Sequence, residues 1–160
     1  MPIVEKLQRY LDEHHVRYEL LSHPPAFTAQ EVAALQHVKG REFAKVVMAE
    51  TRNGAVMVVL PATRRLDLLK LRAALKTDQP PRLAHEDEFA HLFAPCEPGA
   101  MPPFGNLFGV PVYVDRSLAA DEAIVFQAGT HADTVRMRYA DFARLVQPIV
   151  ADFTLLREDE

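Results

Sequence analysis

Two apolar, β-branched segments separated by a short polar turn constrain the fold more than any other feature of this sequence. The segments run from Phe43 to Thr51 and from Ala55 to Pro61, and Arg52-Asn53-Gly54 lies between them. Asn-Gly is the strongest short-range signal of a β-hairpin, because both residues accept the positive φ that tight hairpin turns require. The chain is therefore predicted to contain an antiparallel sheet.

Further helices and strands are predicted on both sides of this hairpin. Ile3, Leu7 and Leu11 have the spacing of one helix face, and Thr28-Ala29-Gln30-Glu31 fits a capping box. The predicted helices cover 3–14, 28–36, 86–93 and 139–146, with another that begins at Asp67 and ends before Pro80; the other predicted strands cover 16–21, 110–115, 123–127 and 134–137. Because strands come in runs rather than alternating with helices, we expect an α+β fold with a mixed, mostly antiparallel sheet flanked by helices, in a single domain over 1–160.

Composition narrows the functional classes. With 160 residues, a formal charge of −4 and a pI near 6.0, the chain is not a general polyanion binder, so any RNA contact must be local. Its candidate cations are Lys39, Arg41, Lys45, Arg64, Arg65, Lys70 and Arg72, unless these are simply solvated surface residues. Cys96 is the single cysteine, and no long apolar run occurs, so we expect a cytoplasmic protein without a membrane segment.

Common catalytic motifs are missing. The sequence lacks H-E-x-x-H, C-x-x-C, G-x-S-x-G and a Walker loop, and its seven histidines have no convincing zinc spacing, so we expect neither a metal nor a cofactor. Cys96 is a conceivable nucleophile for acyl transfer, but a lone cysteine is more often a small hydrophobic residue. We favour the second interpretation.

Two other features are unusual. Lys45 interrupts the apolar strand Phe43-Ala44-Lys45-Val46-Val47, where it is either an edge lysine that reaches solvent or a fixed positive charge in a pocket. The segment from Gly99 to Gly105 is rich in glycine and proline, and the backbone N–H groups of Gly99, Ala100 and Met101 are candidate oxyanion-hole donors. The alternative is a rigid connection between a helix and a strand.

Taken in order, four segments resemble the YbaK and prolyl-tRNA-synthetase editing-domain family of aminoacyl-tRNA deacylases. They are His23-Pro24-Pro25-Ala26-Phe27-Thr28, Ala44-Lys45-Val46, the G-x-x-x-P loop from Gly99 to Gly105, and Ala128-Gly129-Thr130-His131. The resemblance implies a sheet that closes toward a barrel and a pocket for the aminoacyl-adenosine end of tRNA. It also implies a trans-editing hydrolase that deacylates tRNA carrying a small amino acid, with water as the nucleophile and the substrate's own ribose hydroxyl assisting.

Roles for individual residues follow from the same resemblance. Lys45 would hold the tRNA terminus, and the loop of Gly99, Ala100, Met101, Pro102 and Pro103 would bind the ester carbonyl and its neighbouring hydroxyl. We add His131 as a positioner of the amine or the water, or else as a turn residue. Phe27, Thr28, Val46 and Pro102 would line the amino-acid side of the pocket, where Val46 replaces the polar residue of the cysteinyl and alanyl branches.

Partners and alternatives complete these expectations. We expect contact with the tRNA acceptor end, and an aminoacyl-tRNA synthetase or an elongation factor is a conceivable source of specificity. One alternative is an inactive module of the same fold that binds aminoacyl-tRNA or an amino-acid-like ligand. Another is a nucleic-acid-binding structural protein that uses the basic residues between Lys39 and Arg72, although the net charge disfavours it.

Overall fold

The computed structural model describes residues 3–22, 39–84, 96–97 and 99–156. Four helices and ten strands are assigned within these ranges. In chain order they are α1 (Ile3–Glu13), β1 (Tyr18–Ser22), β2 (Ala44–Thr51), β3 (Gly54–Pro61), β4 (Arg64–Leu66), α2 (Leu68–Leu75), β5 (Arg82–Leu83), β6 (Val112–Asp115), α3 (Arg116–Ala119), β7 (Ala123–Gln127), β8 (Asp133–Arg138), α4 (Tyr139–Val146), β9 (Ile149–Ala151) and β10 (Thr154–Leu156). The predicted helices over 28–36 and 86–93, with Phe27 and Thr28, lie outside the described residues.

The predicted hairpin is confirmed. Strands β2 and β3 pair antiparallel from Ala44 opposite Pro61 to Thr51 opposite Gly54. Gly54 belongs to the strand rather than the turn, where its φ of 119° is one that few other residues adopt. The exposed Arg52 and Asn53 form the tip of the hairpin, and the Asn53 N–H donates to Thr51 Oγ1 at 3.2 Å.

The described residues form three sheets. A five-stranded sheet has the order β5-β2-β3-β6-β9, a three-stranded sheet the order β1-β8-β7, and β10 pairs with β4. The pairs β3–β6 and β6–β9 are parallel and all other pairs are antiparallel, so the expected α+β class with a mixed, mostly antiparallel sheet is confirmed.

Closure toward a barrel is the part of the fold prediction that was wrong. The five-stranded and three-stranded sheets meet at an isolated parallel bridge between Phe43 and Val125. The helical turn Gly40–Glu42 immediately precedes this bridge, and no further pairing joins the two sheets in the described residues. The described residues therefore form neighbouring sheets rather than a continuous cylinder.

Strand β3 is buried on both of its faces. Met57 and Val59 point into a larger core cluster that contains Leu7, Leu11, Phe104, Phe126 and Phe142, among others. Val56, Val58 and Leu60 point into a smaller cluster with Ala49, Leu71 and Phe153. A central strand covered on both sides reads as a continuous apolar run, which is what Val56 to Leu60 shows.

Two aspartates make side-chain hydrogen bonds to backbone N–H groups, one at the start of a helix and one at the end of a strand. The Asp67 carboxylate accepts the N–H groups of Leu69 at 2.9 Å and Lys70 at 3.2 Å, which confirms the predicted cap of α2. The buried Asp115 accepts the Phe153 N–H at 3.0 Å and so ties the end of β6 to the C-terminal segment.

In the part of the chain that the structure describes, no helix is long and apolar enough to cross a membrane.

Candidate functional site

The glycine- and proline-rich segment begins with a tight turn. The Ala100 N–H donates to the Glu97 carbonyl oxygen at 3.0 Å, and Gly99 has a φ of 79°. At this positive φ a side chain on Gly99 would be strained, so the turn favours a glycine at this position.

This turn is bound to a second one, formed by residues 128–131. The Glu97 N–H donates to the Gly129 carbonyl oxygen and the Gly129 N–H donates to the Ala100 carbonyl oxygen, each at 2.8 Å. The Glu97 carboxylate oxygen Oε1 accepts the His131 N–H at 2.6 Å. We call these three hydrogen bonds the loop–turn clamp. Through it the structure brings together two segments that the sequence analysis selected separately.

The tight turn engages one of the three backbone donors selected from the sequence. Ala100 was expected to contribute its N–H to an oxyanion hole, and in the structure that N–H donates to the Glu97 carbonyl oxygen at 3.0 Å. Within the described residues, the N–H groups of Gly99 and Met101 donate to no acceptor. Pro102 and Pro103, both buried, have no N–H to donate. Two candidate donors thus remain, separated by one residue.

The loop from Gly99 to Pro103 is attached to the core by the next residue, Phe104, which is completely buried. Its ring lies 5.5 Å from those of Phe126 and Phe142 and 6.1 Å from that of Tyr10, measured between centroids. Met101, which is 8% exposed, belongs to the same core cluster. The backbone between Gly99 and Met101 is therefore fixed by side chains on one side and by the clamp on the other.

Lys45 is exposed and lies at the start of β2, opposite Leu60 on β3. Its neighbour Val46 is half-buried on the other face of the strand and packs on the core cluster that contains Met101. At the bridge between Phe43 and Val125 the two segments of the chain run parallel. Lys45 and Gln127 each lie two residues beyond this bridge along their own strands, β2 and β7.

Gln127 is a residue that the sequence analysis did not select. It is 9% exposed, and its Nε2 is buried without a hydrogen-bond partner in the described part of the chain. Buried amide groups are nearly always paired, because an unpaired one costs about 1–3 kcal/mol. The available signal was a glutamine at the end of the apolar strand Ala123-Ile124-Val125-Phe126, directly before the 128–131 turn. Such a group is a candidate ligand contact.

His131 and Cys96 flank the clamp. His131 is 9% exposed and is anchored through its backbone N–H. Cys96 is half-buried against the core, and burial raises the pKa of its thiol to about 11. A thiol with that pKa is almost wholly protonated at neutral pH, which supports the interpretation of Cys96 as a small hydrophobic residue.

Several of the basic residues selected from the sequence have structural partners. Arg64 donates to Thr154 Oγ1 at 2.6 Å, and Lys70 lies 3.3 Å from Asp152. Arg72 donates to the carbonyl oxygens of Thr77 and Asp78. These three residues fix α2 and the C-terminal strands. Lys39, Arg41 and Arg65 are exposed.

Known proteins resemble this chain in sequence and in fold. Residues 23–145 match the family model described as the aminoacyl-tRNA editing domain. No curated protein sequence matches the chain. A proposed trans-editing enzyme for prolyl tRNA synthetase has a similar crystal structure, with a TM-score of 0.80 and 24% identity over 97% of this chain and 98% of that one.

Two further solved structures share the fold. The hypothetical protein APE2540 has a TM-score of 0.83 and 23% identity, over 94% of this chain and 99% of that one. A proposed signal transduction protein from Marinobacter aquaeolei VT8 has a TM-score of 0.74 and 20% identity, and the match covers 97% of this chain but 31% of that one. At these identities the likeness concerns the fold alone.

Proposed function

This chain belongs to the aminoacyl-tRNA editing domain family, and from that premise we propose that it is a trans-editing hydrolase that deacylates tRNA carrying a wrongly attached small amino acid. The reaction is hydrolysis of the ester between the amino acid and the terminal ribose. Water adds to the ester carbonyl, the bond to the ribose oxygen breaks, and that oxygen takes up a proton. The products are a free amino acid and an uncharged tRNA.

The loop–turn clamp is the observation that carries this proposal. Hydrolysis of an ester passes through a tetrahedral intermediate whose oxygen is negatively charged, and fixed N–H donors stabilise that charge. The N–H groups of Gly99 and Met101 have no other acceptor in the described residues, and the backbone that bears them is held by Glu97, Gly129 and Phe104. Donors that are already in place need no reorganisation when the charge develops.

Lys45 and Gln127 suit the nucleotide end of the substrate. An exposed lysine on a strand provides a positive charge for a phosphate or ribose oxygen. The unpaired Gln127 Nε2 offers an N–H donor for an acceptor atom of the terminal adenosine. The two residues would bind different acceptors of one nucleotide.

Activation of the water is assigned to the substrate and to His131. Because the Cys96 thiol has a raised pKa of about 11, it is a poor nucleophile at neutral pH. The neighbouring hydroxyl of the terminal ribose would assist the attacking water instead. His131, anchored to the loop by its backbone N–H, would orient that water or the amino group of the substrate.

Selectivity for a small amino acid would come from the size of the pocket. Val46, Pro102, Phe27 and Thr28 are the residues assigned to its wall, and Val46 presents an apolar, branched side chain beside the core. An apolar pocket separates substrates by only about 1–3 kcal/mol per methylene, so it sorts mainly by excluding larger groups. Alanine, serine, threonine and cysteine are the expected acyl groups.

A panel of mischarged tRNAs tests the proposal. The purified chain is mixed with tRNAs esterified with alanine, serine, threonine, cysteine and, as a bulky control, phenylalanine, and the release of free amino acid is followed. We expect turnover of at least one small acyl group and none of phenylalanine. Tight binding without turnover above the spontaneous rate would instead identify a binding module, and a lack of both would contradict the proposal.

A further inference from the structure

The three-stranded sheet has one face that packs on the core and another that carries polar residues. Ile124, Phe126, Val135 and Met137 point into the larger core cluster. On the opposite face, pairs of residues lie directly across from one another on β7 and β8, namely Gln127 with Thr134, Val125 with Arg136 and Ala123 with Arg138. This face is buried at one end, where Gln127, Val125 and Thr134 lie, and becomes exposed at the other, where Arg138 lies.

A cleft lies at that far end. It has a volume of about 210 Å³ and is lined by Arg17, Glu19, Ala123, Arg136 and Arg138, together with parts of Tyr18 and Met137. We call it the arginine cleft. Three arginines face one glutamate here, in a chain whose formal net charge is −4. A local excess of guanidinium groups on an acidic protein favours an anionic ligand at this one place.

The arginines are not equivalent. Arg136 lies 3.8 Å from the Glu42 carboxylate, which offsets part of its charge. Arg17 and Arg138 are exposed, and neither pairs with a carboxylate in the residues that the structure describes. These two are the cations available to a ligand. Planar guanidinium groups match phosphate oxygens well because they can donate two parallel hydrogen bonds.

Distance links the cleft to the site. Thr134 lies opposite Gln127, and Arg138 is four residues further along β8. At roughly 3.3 Å per residue this separation is about 13 Å, which is the span of a few nucleotides rather than of one. An RNA strand that spans this distance can place a phosphate at the cleft while its last nucleotide occupies the candidate site. Because Val125 and Thr134 are completely buried, that strand would pass outside the sheet rather than along its face.

We propose that the arginine cleft binds the phosphate backbone of the tRNA acceptor end and so guides the terminal nucleotide toward Lys45 and Gln127. This inference rests on the proposed function for its ligand. It assigns Arg17 and Arg138 to backbone contacts, which are independent of base sequence and depend strongly on salt. Arg136, whose charge Glu42 partly offsets, contributes to the local potential without a direct contact.

Direct binding tests the cleft separately from catalysis. A fluorescently labelled, uncharged hairpin RNA with the acceptor-stem sequence and a CCA end is titrated with the wild-type chain, Arg17→Ala/Arg138→Ala and Arg52→Ala, at several KCl concentrations. Arg52 is an exposed arginine at the tip of the β2–β3 hairpin and serves as the matched control. Each lost phosphate contact should reduce the slope of log K against log[KCl] by roughly 0.7–0.9. We expect the double variant to lose at least about tenfold in affinity at low salt and Arg52→Ala to bind like the wild type.

Hydrolysis of two substrates completes the test. The double variant should raise KM for mischarged tRNA while leaving kcat/KM for a 3′-aminoacyl adenosine unchanged, because the latter has no backbone phosphate. Equal affinity and salt slope in the double variant and the wild type would overturn the proposal, as would an equal loss in Arg52→Ala. If the RNA binds through the cleft but no substrate is hydrolysed, the cleft stands and the proposed function fails.

Discussion

Single side chains in the candidate site differ in what they can contribute, and Lys45 contributes charge. Replacing it with alanine removes a charge-assisted hydrogen bond, which is worth about 1.5–3 kcal/mol and corresponds to a loss of about tenfold to a hundredfold in kcat/KM. Because Lys45 is exposed, the free energy of unfolding should change by less than about 0.5 kcal/mol. Lys39→Ala, at another exposed lysine, is the control. Equal losses in both variants would refute a specific role for Lys45.

Replacing Gln127 should affect stability and activity in opposite directions. Leucine has a similar volume and needs no hydrogen bond, so Gln127→Leu should leave stability unchanged or raise it by about 1 kcal/mol. The same change removes the donor offered to the nucleotide and should lower kcat/KM by about tenfold. Urea denaturation and steady-state kinetics measure the two effects. A less stable variant with full activity would show that the amide is structural.

Cys96 should be dispensable. Because burial raises the pKa of its thiol to about 11, the thiolate fraction at pH 7 is on the order of one in ten thousand. We expect Cys96→Ser to keep activity within about twofold, and the rate of thiol alkylation to rise about tenfold per pH unit between pH 8 and pH 10. An inactive Cys96→Ser enzyme that still folds would overturn the proposed use of water as the nucleophile.

At the level of structural elements, the clamp predicts that Glu97 acts at a distance from the reacting atoms. Its carboxylate accepts the His131 N–H, so Glu97→Ala should loosen the turn against the loop and lower kcat by about tenfold with little change in KM. Glu97→Gln keeps an acceptor oxygen and should recover part of the loss. The exposed Glu122 provides the control variant, Glu122→Ala. A change in KM alone would argue for direct substrate contact instead.

The elements also differ in how well local sequence predicts them. The β2–β3 hairpin, the cap of α2, strand β7 and helix α4 have strong local signals, namely Asn-Gly, Asp67 and a clear apolar periodicity, and each was found where expected. The strands β4, β5, β9 and β10 have two or three residues each and form only because a partner strand lies beside them. Strands this short show no periodic pattern of apolar residues, so they were not predicted.

In the candidate site, too, some features could be recognised from the sequence and others depend on the fold. The unusual composition of the Gly99 to Gly105 segment and the charge of Lys45 could be recognised from the sequence. The engagement of the Ala100 N–H with Glu97 could not, because it depends on the local turn. Nor could the isolation of the Gln127 amide, which depends on how three strands pack together. Sequence predicted the residue types, whereas hydrogen-bond partners required the fold.

For the whole molecule, Phe104 connects the site to the stability of the core. Its ring contacts Tyr10 on α1, Phe126 on β7 and Phe142 on α4, and it directly follows the candidate-site loop from Gly99 to Pro103. Truncating a buried phenylalanine to alanine costs about 3–5 kcal/mol, which is a large part of the total for a domain of this size. We therefore expect Phe104→Ala to unfold at much lower urea concentrations.

Phe104→Leu tests the same connection in a folded protein. Leucine fills part of the space and should cost about 1–1.5 kcal/mol, while the loop it supports becomes less fixed. We expect kcat to fall although no group at the site has been removed. Phe153→Leu, in the smaller cluster away from the loop, is the control for lost stability alone. An equal fall of kcat in both variants would mean that general destabilisation, not loop support, is responsible.

The tip of the β2–β3 hairpin is a suitable site for attaching a label. Arg52 and Asn53 are exposed there, and Thr51, the last strand residue before the tip, lies six positions or about 20 Å along β2 from Lys45. Exposed tips of this kind accept insertions with little harm to the rest of a fold. A dye or a surface tether attached at Asn53 would therefore report on, or immobilise, the protein without obstructing the entry of RNA.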